Sequence, residues 1–367
     1  MKNIKLFDLE RQYHSLKLTL EKKVNEVLKS GQYIMGKNVV NLEKKVSQYM
    51  STKYAISCNS GTDALIISLR ALGVKRGDEV ITTPFTYFAT AEAIILVGAK
   101  PIFVDINPET FNIDENQIEK AISKKTKAVM PVHIFGQPCR IDVIKQICKK
   151  YKLKLIEDCA QSFGSKLNKK HTGTFGDFGC LSFFPTKNLG CAGDGGMILT
   201  NSASLAKKAM MLRNHGGIER NVHKMIGYNS RLDEIQAVIL LEKMKIIDKL
   251  NKSRRKIANK YSKLIDNQNI TTPFEGSHVN HVYHQYTLLV NDRKKFIKHM
   301  SDKNIPTGIY YPRPIYEQSA IKSSTNKKYN LVNIRRICNQ CVSIPMYPEL
   351  TNNEIEFIAD HINRYLA

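Results

Sequence analysis

A lysine that closes an apolar run and opens a glycine-rich loop is placed to act as a nucleophile. Lys187 sits that way, in Ser182-Phe183-Phe184-Pro185-Thr186-Lys187-Asn188-Leu189-Gly190-Cys191-Ala192-Gly193-Asp194-Gly195-Gly196. Glycines there let the backbone bend sharply and let a ligand come close. Burial in such a turn disfavours the ammonium and frees the amine to condense with a carbonyl. A surface lysine in a glycine loop would read the same way, so the motif needs company. It has some in Leu153-Lys154-Leu155-Ile156-Glu157-Asp158-Cys159-Ala160-Gln161-Ser162-Phe163-Gly164, where Asp158 ends a buried strand. A buried carboxylate calls for a partner because an unpaired charge is costly to desolvate. A protonated pyridine nitrogen would serve, and so would a helix cap or a salt bridge.

Two further segments suit a phosphate and a flat ring. In Cys58-Asn59-Ser60-Gly61-Thr62-Asp63-Ala64-Leu65 a strand runs through a polar turn into a helix. Free N–H groups at that helix start, with the Thr62 hydroxyl, form an anion cradle that needs no metal, although simple capping fits the same residues. The spacing is neither that of a nucleoside-triphosphate loop nor that of a dinucleotide fingerprint. Pro84-Phe85-Thr86-Tyr87-Phe88-Ala89-Thr90-Ala91 opens the next helix with aromatics that could cover a ring or pack in the core.

The elements that must carry these loops are legible in the apolar pattern. Short apolar runs at 54–58, 79–82, 101–106, 128–133, 153–157, 179–184 and 197–200 alternate with amphipathic ones, the mark of βα units feeding a mostly parallel sheet. Residues 231 to about 265 read as one long helix with an apolar stripe through Leu232, Ile235, Val238, Ile239 and Leu241. A strand at 283–290, an amphipathic segment at 292–303 and a final helix at 352–365 suffice for a small α+β domain. The expected organisation is a large cofactor-binding domain over 1–250 and a small C-terminal domain over 251–367.

At 367 residues the chain is long enough for two domains. Hydrophobic residues at 42% and charged residues at 24% exclude wholesale disorder and fibrous repeats. No run approaches the ~18 apolar residues of a membrane span, and the N-terminal segment carries no export signal; the expectation is a cytoplasmic protein without a membrane partner. Eight cysteines are too sparse for a disulfide scaffold. Cys58, Cys159, Cys180 and Cys191 read as reduced core thiols, and Cys338-Asn339-Gln340-Cys341 lacks a second pair for zinc, so no metal is expected. The net charge of +23, from 56 Lys+Arg against 33 Asp+Glu, favours anionic partners. Basic residues are spread along the chain in runs such as 149–150 and 252–256, which look like solvated helix faces rather than a nucleic-acid stripe. A basic binding protein is the competing class, supported by that charge alone.

Together the four segments resemble the pyridoxal-phosphate-dependent sugar aminotransferases of the DegT/DnrJ/EryC1/StrS family. The similarity runs from Gly31-Gln32-Tyr33-Ile34-Met35-Gly36 to Ser343-Ile344-Pro345-Met346. It implies an α/β fold of the aspartate-aminotransferase kind (fold type I) and a homodimer with shared active sites. By that resemblance Lys187 would bond covalently to pyridoxal 5'-phosphate, Asp158 would pair with the pyridine nitrogen, and Gln161 would bond the phenolic oxygen. Tyr87 would stack on the ring. Gly61, Thr62 and Ser182 would hold the phosphate, and Asn229 would reach it from the partner subunit.

The same resemblance implies a ping-pong transfer from L-glutamate, through pyridoxamine phosphate, to a nucleotide-linked ketosugar. Members that dehydrate sugars carry histidine in place of the lysine; this chain keeps Lys187. The wording around Lys187 resembles members that aminate carbon 3, and the overall similarity is to enzymes that aminate UDP-linked 2-acetamido-3-ketosugars, the 3-keto glucuronate included, for glycan biosynthesis. A dTDP-linked 3-keto or 4-keto-6-deoxyhexose is the alternative. Those uronate enzymes tend to carry His-Tyr-Pro where this chain has Tyr310-Tyr311-Pro312. Arg231, Tyr310, Tyr311 and Arg313 are the expected sugar contacts.

Overall fold

The computed structural model describes residues 4–322 and 329–366. Seven strands form the central sheet: β1 (Tyr54–Cys58), β2 (Glu79–Thr82), β3 (Lys100–Phe103), β4 (Thr126–Met130), β5 (Lys154–Asp158), β6 (Phe178–Ser182) and β7 (Gly196–Thr200). Their order is β1-β7-β6-β5-β4-β2-β3. β7 is antiparallel to both its neighbours and every other pair is parallel, so six strands point one way. Their near-continuous burial explains the apolar runs, since a parallel sheet is covered on both faces. One face is covered by a cluster around α3 (Gly61–Ala71), with Ile94 and Ala209 from flanking helices; the other is covered partly by α2 (Lys37–Met50). This topology decides where chemistry can occur. The loops bearing Gly61, Tyr87, Asp158 and Lys187 all leave the C-terminal ends of β1, β2, β5 and β6, on one edge of the sheet.

The expected long helix is two helices, α4 (Glu234–Met244) and α5 (Ile247–Leu264). The chain turns at Ile246, with φ −121° and ψ 4°. α4 lies against the large sheet, where Ala237, Leu240 and Met244 pack with Val39 and Leu181. α5 starts in that cluster at Ile247 and ends in another, through Ile257, Ala258 and Tyr261. The expected division at 250 therefore falls inside α5. A second correction concerns 252–256: Arg254 is buried, donating to the carbonyls of Tyr283 (3.3 Å) and Met346 (2.9 Å), while Lys252 and Lys256 are exposed.

The C-terminal lobe is an antiparallel sheet of β8 (Ile270–Thr271), β9 (Tyr286–Val290) and β10 (Cys341–Ile344), packed with α5 and the last helix, Asn352–Asn363. The N-terminal segment joins it: Ile4 packs in the same cluster, and Arg11 binds Glu354 at 2.6 Å. Cys338 and Cys341 are buried free thiols among the aromatics Phe85 and Phe135, and burial pushes both thiols up, Cys341 to about 11.

Candidate active site

The loop after β6 is held from both sides. Lys187 N–H donates to the Phe184 carbonyl at 2.8 Å, and Cys191 N–H returns to the Phe183 carbonyl at 2.8 Å. A Cβ on Gly190 would lie 2.3 Å from the Pro185 carbonyl oxygen, so only glycine closes this turn. Asn188 donates to Asn251 Oδ1 (2.8 Å) and to the Val282 carbonyl (3.0 Å), and the buried Lys243 ammonium donates to the Gly190 carbonyl at 2.8 Å. Lys187 itself keeps some exposure, as an amine that a ligand must reach requires.

Burial lowers the Lys187 ammonium from 10.5 to about 8, with the Asp158 carboxylate opposing. At pH 7 that leaves about one amine in ten neutral, against roughly three in ten thousand for an ordinary lysine. In cofactor-free protein, the rate at which added pyridoxal phosphate develops visible absorbance should rise with pH and level off above about 8. A rate still climbing past pH 10 would show that the amine is not held in this way.

Asp158 ends β5 and is buried, with 4% of its surface exposed. Its Oδ1 accepts from Ala160 N–H at 3.1 Å and its Oδ2 from the Thr90 hydroxyl at 2.8 Å. Among the described residues no ion pair reaches it. Burial raises its pKa; the two hydrogen bonds, then the charges of Lys187 and His133, work against that rise. Glu157, its neighbour in sequence, faces elsewhere and is saturated by His133 Nε2 and the N–H groups of Gly173, Phe175 and Gly176. Asp158 is thus the acidic group here with room for a further cation.

The remaining expected ring contacts lie around it. Gln161 accepts from Phe135 N–H at 2.7 Å and donates from Nε2 to the Tyr311 hydroxyl at 3.1 Å, which leaves one amide hydrogen to offer. Tyr311 also lies 6.4 Å from the ring of Tyr87, and Tyr87 is 63% exposed, an open aromatic face. Phe85, by contrast, is fully buried against Phe111 and Phe135, so the aromatic cluster divides between core and site.

The expected phosphate cradle lies at the start of α3. Ser60 caps it, accepting from Asp63 N–H at 3.1 Å. The N–H groups of Gly61 and Thr62 have no acceptor among the described residues. A Cβ on Gly61 would lie 2.7 Å from Ser182 Cβ, so the helix start and the end of β6 meet at van der Waals distance because residue 61 has no side chain.

The expected sugar contacts are less gathered. Arg231 approaches Asn214 Oδ1 at 3.5 Å, Tyr310 is half-buried against Tyr311, and Arg313 is exposed. Asn229 is exposed within the 214–229 segment, beside Ser230, whose hydroxyl binds Asp63 at 2.7 Å. Thr90 was legible only as part of an aromatic segment; the Thr-x-x-x-Thr spacing of Thr86 and Thr90, one helical turn apart, was its signal.

These residues fit pyridoxal phosphate by their donor set: a buried carboxylate with no ion pair and helix-start N–H groups with no acceptor among the described residues, beside a lysine whose ammonium burial disfavours. Such a sheet edge defines a class of enzyme that works through a carbonyl cofactor held by a lysine. The DegT/DnrJ/EryC1/StrS aminotransferase family matches residues 15–363, and this chain belongs to it. The chain is 42% identical to a pleiotropic regulatory protein of Geobacillus stearothermophilus over 99% of this chain and 98% of that one. It is 41% identical to the UDP-2-acetamido-2-deoxy-3-oxo-D-glucuronate aminotransferase of Pseudomonas aeruginosa, over 97% and 98%. It is 38% identical to the UDP-N-acetyl-3-dehydro-alpha-D-glucosamine 3-aminotransferase of Acidithiobacillus ferrooxidans, over 99% and 98%. The crystal structure of DesV from S. venezuelae, in complex with a ketimine intermediate, superposes with a TM-score of 0.96 at 32% identity, over 99% of this chain and 98% of that one.

Proposed function

We propose that this enzyme transfers an amino group from L-glutamate to carbon 3 of a UDP-linked 2-acetamido-3-ketosugar, using pyridoxal 5'-phosphate held by Lys187 and cycling through pyridoxamine phosphate. The observation that carries the reading is the placement, on one sheet edge, of Lys187 and of a buried carboxylate, Asp158, that no ion pair reaches among the described residues. When bound, the cofactor supplies a protonated ring that accepts electrons from the substrate carbon. Asp158 would hold the proton on the ring nitrogen, and Gln161 and Tyr87 would orient the ring. Gly61, Thr62 and Ser182 would anchor the phosphate. Lys187 would hold the cofactor covalently, and its amine would take and return the proton of the substrate carbon as general base and acid.

Two copies would complete each site, with Asn229 reaching the phosphate held by the partner subunit, and exposed Tyr33, Ile34, Met35 and Val40 are apolar surface for such a contact. The expected setting is the cytoplasm, as one step in making an amino sugar for a surface glycan. Arg231, Tyr310, Tyr311 and Arg313 are the proposed sugar contacts.

The relatives acting on the 3-oxo glucuronate and on the 3-dehydro glucosamine differ in their substrate at carbon 6. Offered UDP-linked 3-ketosugars with and without the carboxylate, and dTDP-linked 3- and 4-ketosugars, the enzyme should consume glutamate and return a 3-amino UDP-sugar, identified by mass and NMR. A product formed only from the dTDP sugars, or aminated at carbon 4, would overturn the substrate assignment.

A further inference from the structure

The hydroxyls of Thr86 and Thr90 lie 2.8 Å apart, and Thr90 Oγ1 lies 2.8 Å from Asp158 Oδ2, all three residues being buried. An ionised carboxylate only accepts, so the Thr90 hydrogen must point at Asp158. The Thr90 oxygen is then the acceptor for the Thr86 hydrogen, and the chain has one polarity, Thr86 to Thr90 to Asp158. Aligned hydroxyls polarise one another in a low-dielectric interior. The segment that carries them is the one that presents Tyr87, so it serves both the face of the ring and its nitrogen-binding carboxylate.

We propose that Thr90, backed by Thr86, is a positioning residue that keeps Asp158 ionised and aimed at the ring nitrogen of the bound cofactor. It does not touch the reacting atoms. The inference rests on the assignment of Asp158 above. The Ala160 N–H fixes one carboxylate oxygen and the Thr90 hydroxyl the other. Removing the second donor leaves burial opposed by less, which raises the pH at which Asp158 gains a proton.

Thr90→Val keeps the shape and removes the hydroxyl. In cofactor-free protein the infrared band of the protonated Asp158 carboxyl, identified by its disappearance in Asp158→Asn, should persist to a pH higher by about one unit than in the parent. At pH values below the titration of Asp158 the dissociation constant for pyridoxal phosphate should rise roughly tenfold, by the same conversion, and the acid limb of the kcat/KM profile should move in the same direction. Thr90→Ser should restore all three. Thr86→Val, which leaves the contact to Asp158 in place, should give a smaller shift in the same direction and serves as the test if Thr90→Val does not fold. In the Asp158→Asn background, Thr90→Val should weaken cofactor binding no further. An unshifted band and unchanged affinity in both valine variants would overturn the relay while leaving Asp158 assigned. Unchanged affinity in Asp158→Asn itself would overturn the assignment and the relay together.

Discussion

Lys187→Ala should abolish transamination, lowering turnover by roughly 10⁴-fold or more, because the proposed site uses the residue both as anchor and as proton carrier. The fold should survive. Lys187 has no ion-pair partner among the described residues, and its burial opposes its own charge, so removing it strands nothing. The loop is held by Asn188, Cys191 and the Gly190 carbonyl, none of which depends on the lysine side chain. Lys187→Arg should be equally dead, since a guanidinium stays charged and cannot condense with an aldehyde. Single-turnover assays with glutamate, beside a thermal melt, check this; an alanine variant that transaminates at the parent's rate would refute the role.

Asp158→Asn should cost roughly 10²- to 10³-fold in turnover with only a small loss of stability. Asparagine has the same outline; with its oxygen toward Ala160 N–H, its amide donates to the Thr90 hydroxyl and reverses that contact, at a cost of about 1 kcal/mol or less. The larger effect is electrostatic, because a neutral amide cannot hold a proton on a ring nitrogen. A second sign follows. The Asp158 charge favours the Lys187 ammonium, so its removal should move the midpoint of cofactor loading below pH 8. Unchanged turnover together with an unmoved midpoint would count against the carboxylate's role.

The sheet was legible because parallel strands are buried on both faces and write themselves as apolar runs; the runs at 54–58 and 79–82 match β1 and β2 to the residue. The loops were legible because glycines at 61 and 190 stand where a Cβ has no room. The turn at Ile246 was not. Neither glycine nor proline marks it, and the apolar stripe runs on through it, since α4 and α5 each need a buried face against a different cluster. Arg254 was hidden inside a run of cations. Leu250, Arg254, Ile257 and Tyr261 do share one helical stripe, and the apolar members of that stripe bury the arginine with them. The contact of Thr90 with Asp158 was hidden for a different reason, as the two are 68 residues apart in the chain.

The most direct measurement is chemical trapping: load the protein with pyridoxal phosphate, reduce with borohydride, digest, and locate the added mass by peptide sequencing. The account predicts a single modified peptide with the label on Lys187, among the many other lysines of a chain carrying 56 Lys+Arg. Label spread over surface lysines, or a Lys187 peptide left unmodified in protein that has bound the cofactor, would contradict it.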